Sequence, residues 1–333
     1  MVHKKFVVPV IGAAALIAGG VAAKRLIAQW SNNPDPLGGL PLAFPPGEVR
    51  RVDLPDGASI NTVFAGSGPT IVCVHGLTSN HLDWAPLAPQ LIDAGYSVLA
   101  IEQRGHGGST AGTRGYGSSQ LGDDLAIVFD DLDVHAVALM GHSMGGMAAM
   151  SYAVGHPKAF QARVENLILV ATAGSLRTVR HTLGLLAGGL PIPDVLRPPD
   201  DRMRVSAGLG AFGSRPSLHM VDQAIAQFNR IEEPVRTAAT AALREHDVRG
   251  ELHRISVPTL VVGGTRDQLI RPNQVEDLAE AIPGSRLQMY EGAGHMVIWE
   301  RHREMAALLT DWLGQPTSTT RASSDDQPDH EPT

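Results

Sequence analysis

From Gly47 onward, short apolar runs alternate with amphipathic stretches. Val49–Asp53 and Ser59–Phe64 alternate between apolar and polar residues on either side of Pro55-Asp56-Gly57, which predicts a hairpin. Thr70–His75 is a continuous apolar run, as a strand buried on both faces requires. The pattern then predicts a helix over Leu82–Ala94 and a strand over Val98–Ile101, followed by Leu121–Leu132 as helix and Ala136–Met140 as strand. Met144–Val154 follows as helix and Leu167–Val170 as strand. The last part reads Thr259–Val262 strand, Gln274–Ala281 helix, Leu287–Tyr290 strand and Val297–Leu313 helix. Such alternation predicts an α/β fold with a mostly parallel, doubly wound sheet and an antiparallel start. Residues 47–174 and 255–314 form this core.

Three stretches break the rhythm. Residues 175–254 hold Pro191-Ile192-Pro193, Pro198-Pro199 and two helical patterns, Val221–Phe228 and Glu233–Arg244, without strand signals. They are expected to form an inserted helical cap, in which Leu183–Leu190 either lines a pocket or packs the cap. Ser31–Pro46, rich in Pro and Gly, reads as a linker. Residues 315–333 are polar and acidic and read as a disordered tail.

The formal charge of −7 excludes a basic nucleic-acid binder, and no Lys/Arg stripe contradicts it. That total hides an uneven distribution, because residues 1–30 contain Lys4, Lys5, Lys24 and Arg25 and no acid. Between the basic pairs lies the uncharged run Phe6–Ala23, about 27 Å long as a helix and close to the roughly 30 Å of a bilayer core. Trp30 beyond it suits the membrane interface. Residues 1–30 are therefore expected to be a single membrane-anchoring helix with the rest of the chain on the extracytoplasmic side. The alternatives are secretion after cleavage of a signal peptide near Val21-Ala22-Ala23, or a soluble helix.

Gly141-His142-Ser143-Met144-Gly145-Gly146 falls between a predicted strand and a predicted helix, the setting that makes G-x-S-x-G a nucleophile elbow. A serine hydroxyl needs a base. His295, on the glycine-rich Gly292-Ala293-Gly294-His295 after the last strand, is the candidate, with His302 its nearest rival inside a predicted helix. Asp267, after the Thr259–Val262 strand, is the candidate orienting acid, with Asp247 as the fallback. All three sit at carboxyl ends of strands, in the order Ser–Asp–His. An oxyanion hole would pair the N–H of Met144 with that of Leu77 in His75-Gly76-Leu77-Thr78. His75 and His106 are expected to order loops, His142 to shape the elbow, and Cys73 to be an inert core thiol. There is no HExxH, no cysteine cluster and no phosphate-binding glycine loop, so neither a metal nor a cofactor is expected.

In His75-Gly76, Arg104-Gly105-His106-Gly107, Gly141–Gly146, Asp267 and Gly294-His295, the chain resembles the α/β-hydrolase superfamily, in its cap-bearing esterase/lipase-like branch. The resemblance covers roughly Gly47–Gly314 and implies Ser143 as nucleophile, His295 as base, Asp267 as acid, and Leu77 and Met144 as oxyanion amides. Members using an aspartate nucleophile are disfavoured by Ser143. Glu102 departs from the aspartate common at its position. The activity implied is carboxylic ester hydrolysis through an acyl-enzyme, on small-molecule esters that the N-terminal run would make lipidic or amphiphilic. The same triad also suits amide, thioester or carbon–carbon hydrolysis and cofactor-free perhydrolysis. Outside enzymes, the fold can serve as a receptor or interaction module.

Overall fold

The structure, a computed structural model, describes residues 21–176 and 201–314. Most of the Phe6–Ala23 run, the Leu183–Leu190 stretch and the acidic tail lie outside the described residues. Eight strands form one sheet in the order β1-β2-β4-β3-β5-β6-β7-β8. They are β1 (Glu48–Asp53), β2 (Ser59–Gly66), β3 (Thr70–Val74), β4 (Ser97–Ile101), β5 (Val137–His142), β6 (Val164–Val170), β7 (Thr259–Gly264) and β8 (Arg286–Tyr290). β1 pairs antiparallel with β2 and β2 with β4, and every later pairing is parallel.

Period-two alternation splits the central strands between two cores. Val72 and Val74 of β3 face one side, with Leu99, Ile101 and Leu139. Ile71 and Cys73 face the other, with Val98, Ala100 and Met140. The first core is covered by α3 (Ser118–Asp131), α4 (Met144–Gly155), α5 (Pro157–Arg163) and α9 (Pro272–Ala281). α2 (Ala88–Asp93), α10 (Val297–Glu300) and α11 (His302–Leu313) cover the second, with α1 (residues 21–31) at its margin. α4 is buried from Met144 to Ala153, as its lack of a polar face requires.

The helix expected over Leu82–Ala94 is two pieces, a 3₁₀ turn at His81–Trp84 and then α2. Pro86 and Pro89 explain the break, since a proline ring excludes the helical hydrogen bond at its own nitrogen. The last helix is also interrupted, at Arg301, where φ is −130°. Neither division shows in an apolar pattern that runs on through both.

Between β6 and β7 the described cap contains α6 (Asp201–Ala211), α7 (Leu218–Phe228) and α8 (Glu233–Leu243). The segment read as a linker lies along it. Trp30 is 3 % exposed and packs its ring against Gly208 of α6. Asn33 Nδ2 donates to the Pro216 carbonyl at 2.7 Å, and Ser217 Oγ donates to Asp35 at 2.8 Å. His219 Nε2 reaches the Leu40 carbonyl at 2.8 Å. No helix among the described residues is long and apolar enough to cross a membrane.

Candidate active site

β5 ends at His142 and α4 begins at Met144, leaving Ser143 alone in the turn with φ +52° and ψ −114°. A non-glycine residue there is strained and must be held by its surroundings. Ser143 N donates to the Val170 carbonyl at 2.9 Å, and Thr172 Oγ1 donates to the Ser143 carbonyl at 2.8 Å. Two glycines allow the turn to close. A Cβ on Gly141 would strike the Gly145 carbonyl, and one on Gly145 would strike the Val74 carbonyl of β3. Met144, the first residue of α4, presents an N–H of the kind that has no partner within its own helix.

Asp267 and His295 meet across the loops after β7 and β8. His295 Nδ1–H donates to Asp267 Oδ2 at 2.8 Å, with the two residues 6 % and 1 % exposed. The other carboxylate oxygen, Oδ1, accepts from Leu269 N at 2.8 Å and Ile270 N at 2.9 Å, which fixes the plane of the acid. Arg266 N donates to the Ala293 carbonyl at 2.8 Å and Gly292 N to Thr265 Oγ1 at 2.9 Å, lacing the two loops together. Nδ1 of His295 is thus committed to Asp267, which leaves Nε2 outside the pair.

The rivals have other employment. His302 opens α11 and directs Nδ1 to the Trp299 carbonyl. Asp247 is exposed and pairs with Arg249 at 2.9 Å.

Leu77 lies on a loop gripped from below. His75 Nε2 accepts from Gln103 N at 3.0 Å, so Nδ1 carries the proton and donates to the Gly76 carbonyl at 2.7 Å. Gly76 N donates to Asp83 Oδ2 at 3.1 Å. Both backbone polar groups of Gly76 are therefore held, and Thr78 beyond it takes φ +63°. His106, with Nδ1 on the Arg104 carbonyl, packs its ring 5.2 Å from that of His75. Burial pushes His106 down to about 3, so the ring is neutral.

Four further buried groups complete this region. Glu102 fills the space its extra methylene demands by accepting from His81 Nδ1 at 2.6 Å, Asn61 Nδ2 at 2.9 Å and Gly108 N at 2.6 Å. Burial opposes its charge, but these donors and the His81 ring outweigh burial and hold it at about 2. Arg104, 1 % exposed, joins Asp56 of the first hairpin to Asp124 of α3 at 2.8 and 2.6 Å. Glu300 of α10 accepts from Gly294 N at 2.8 Å and from Gly213 N of the cap at 3.0 Å, and burial pushes it up to about 7. Asp83 accepts from His142 Nδ1 at 3.0 Å. The chain neighbours of Glu102, Arg104, Glu300 and Asp83 give no sign of these partners. Only the fold brings these partners together.

The sheet order, the strained turn after β5 and the crossover helices on both faces define an α/β hydrolase. The family model for serine aminopeptidase S33 matches residues 67–302, and the chain belongs to this family. It is 29 % identical over 285 residues to the 2-hydroxy-6-oxononadienedioate/2-hydroxy-6-oxononatrienedioate hydrolase of Cupriavidus pinatubonensis, spanning 80 % of this chain and 96 % of the relative. Among solved structures it is similar to an esterase from Exiguobacterium antarcticum, with a TM-score of 0.71 at 23 % identity over 80 % of this chain and 100 % of that one. It is also similar to a membrane phospholipase A described as a bacterial virulence factor, with a TM-score of 0.66 at 22 % identity, covering 92 % of this chain and 93 % of that one. At these identities the two structures speak for the fold. Among the described residues no group of histidine, cysteine and acidic side chains could hold a metal.

Proposed function

We propose that the protein is a serine hydrolase of carboxylic esters. The observation that carries this reading is the buried 2.8 Å bond between His295 Nδ1 and Asp267 on the loops beside the strained Ser143 turn. Asp267 holds the imidazole in the tautomer whose Nε2 takes the proton of Ser143 as its oxygen attacks the ester carbonyl. The tetrahedral oxyanion is stabilised by the Leu77 and Met144 N–H groups, and α4 adds the positive end of its dipole. His295 then returns the proton to the leaving alcohol, and water releases the acyl group by the same route.

Esters are favoured over aminoacyl amides by the state of the nearby acids. A free α-ammonium needs a carboxylate partner, and the buried acids Asp83, Glu102, Asp267 and Glu300 are all held by donors of the protein itself. The test is a fluorophosphonate probe followed by a panel of p-nitrophenyl esters, aminoacyl anilides and the dienedioate of the Cupriavidus relative. The expected result is labelling that Ser143→Ala abolishes, with turnover confined to esters. Equal labelling of wild type and Ser143→Ala, or turnover of the anilides alone, overturns the reading.

We further propose that the Phe6–Ala23 run anchors the enzyme in a bilayer, with the catalytic domain extracytoplasmic and lipidic or amphiphilic esters as substrates. Its length and basic flanks support this, as does the fold-level likeness to a membrane phospholipase A. Deleting residues 1–20, which spares Trp30, should release the protein from the membrane fraction and lower turnover of long-chain esters in vesicles more than that of short soluble ones. Equal partitioning of both forms would sink the proposal.

A further inference from the structure

His142 is fully buried, and both of its ring nitrogens are engaged. Nδ1 lies 3.0 Å from Asp83 Oδ2, and Nε2 lies 3.1 Å from the carbonyl oxygen of His295. A carboxylate oxygen and a carbonyl oxygen only accept, so each nitrogen must carry a proton. A neutral ring would turn a lone pair on one of these oxygens. Asp83 Oδ2 accepts from Gly76 N as well, and the Asp83 carbonyl accepts from Trp299 Nε1 at 2.9 Å. One charged pair therefore touches the loop of Leu77, the elbow of Ser143 and the loop of His295.

We propose that Asp83 and His142 form a second, non-reacting aspartate–histidine pair, held as carboxylate and imidazolium, whose task is to position His295 and the oxyanion loop together. The proposal rests on the triad reading above. Burial opposes both charges, but each ion's hydrogen bond and charge overcome it for the other, with His142 raised and Asp83 lowered from their ordinary ranges. The rings of His142 and His295 lie 5.0 Å apart and are tilted by 44°. Because Asp83 sits at the Nδ1 side, the cationic end of the pair is the end turned toward His295. Other titratable groups around the pair are Asp267 beside His295, and His75, Glu102 and His81 on the side of β3 and β4. The fixed positive charge is thereby held beside the ring of His295.

Asp83→Asn separates charge from shape. If the amide oxygen faces Gly76 and His142, His142 is neutral and its Nε2 lone pair meets the His295 carbonyl. If the amide nitrogen faces them, the Gly76 N–H meets another donor. Either way one link of the chain is lost although the side chain keeps its size.

The experiment begins with the full-length wild-type protein labelled with ¹⁵N-histidine. At about pH 8.5, two units above the ordinary imidazole range, one ring should remain protonated on both nitrogens, and that signal should be missing from His142→Gln. Asp83→Asn and His142→Gln should lower kcat about 10²-fold with KM little changed, the size of a misplaced catalytic group. The acid limb of their kcat/KM profile should move to higher pH. Absence of a doubly protonated ring in the wild type overturns the proposal, whether or not the variants fold. Folded variants that keep kcat within about twofold, with the acid limb unmoved, also overturn it. Failure of wild type to react with a fluorophosphonate strikes the triad reading instead, because the ring's protonation is read without turnover.

Discussion

The two halves of the site are made rigid by different physics. On the serine side, Ser143 and Leu77 stand on β5 and β3, strands buried in the middle of the sheet. Their loops are fixed by backbone contact, as where Gly145 lies against the Val74 carbonyl, and the neighbouring loop after β4 is held by the paired charge of Arg104 between Asp56 and Asp124. On the histidine side, Asp267 and His295 stand on β7 and β8, at one edge of the sheet, where β8 has no fully buried residue. Here the cap completes the support. Met296 N donates to the Ala211 carbonyl at 2.9 Å, Ser214 N to the Gly292 carbonyl at 2.8 Å, and Glu300 joins Gly213 to Gly294. The core dictates where the serine side stands, whereas the histidine side is also positioned by polar contacts with the helices inserted between β6 and β7. A fold built this way can vary its cap without disturbing Ser143, and must keep the cap's grip on the loop of His295.

The sharpest way to break the comparison is at Gly145. A Gly145→Val substitution drives a side chain into backbone with nothing flexible to yield, and no folded protein is expected. Soluble yield and circular dichroism check this, and a folded variant with normal serine labelling would show that the serine side is softer than described. Next is Asp124→Ala, which strips one partner from a buried guanidinium. A loss of about 3 kcal/mol in chemical denaturation is expected, since two charge-assisted hydrogen bonds to the buried guanidinium are lost while Asp56 still balances its charge.

The histidine side should respond to pH instead. Glu300 has its carboxyl raised from 4.5 to about 7 by burial, so the folded state favours the protonated acid. Its contribution is fully present below about pH 4.5 and is lost as pH rises through about 7, a decline of about 3 kcal/mol. Stability measured from about pH 5 to 8 should show this fall in wild type, and Glu300→Gln should flatten it. Glu102, held at about 2 on the serine side, carries the opposite sign: its contribution is present above 4.5 and lost as acid approaches 2. Equal slopes in wild type and Glu300→Gln would remove the contrast between the halves. The smallest effect is expected at Ser79, whose Oγ donates to Gln227 of α7 at 2.7 Å and ties the loop of Leu77 to the cap. Ser79→Ala should cost about 1 kcal/mol with serine labelling intact.

The same division explains what could be read without coordinates. The elbow was legible because every element of it is local: a buried strand, a G-x-S-x-G turn and an apolar helix follow one another in the chain. Asp267 and His295 were legible as polar residues after strands, and the sheet brings them to 2.8 Å. Glu300 gave no sign, because its partners are a glycine six residues before it and another 87 residues away in the cap. Asp83 and His142 are 59 residues apart, and their pairing depends on how β3 and β5 lie side by side. The contacts of residues 31–44 with the cap were hidden for a related reason, since a Pro-rich stretch looks alike whether it is free or laid against a surface. Helix breaks at Pro86 and Arg301 were missed because the hydrophobic pattern continues across both.

That strap has a consequence for the order of events during synthesis. Asn33, Asp35, Leu40 and Leu42 bond to residues 179–183 positions further along the chain. At ordinary ribosomal rates of about 5–20 residues per second, this segment stays without its docking surface for on the order of 10–40 seconds after it is made. Trp30, buried in the finished protein, spends that interval exposed unless something else covers it. A segment made well before its partners is thus among the last to find its place.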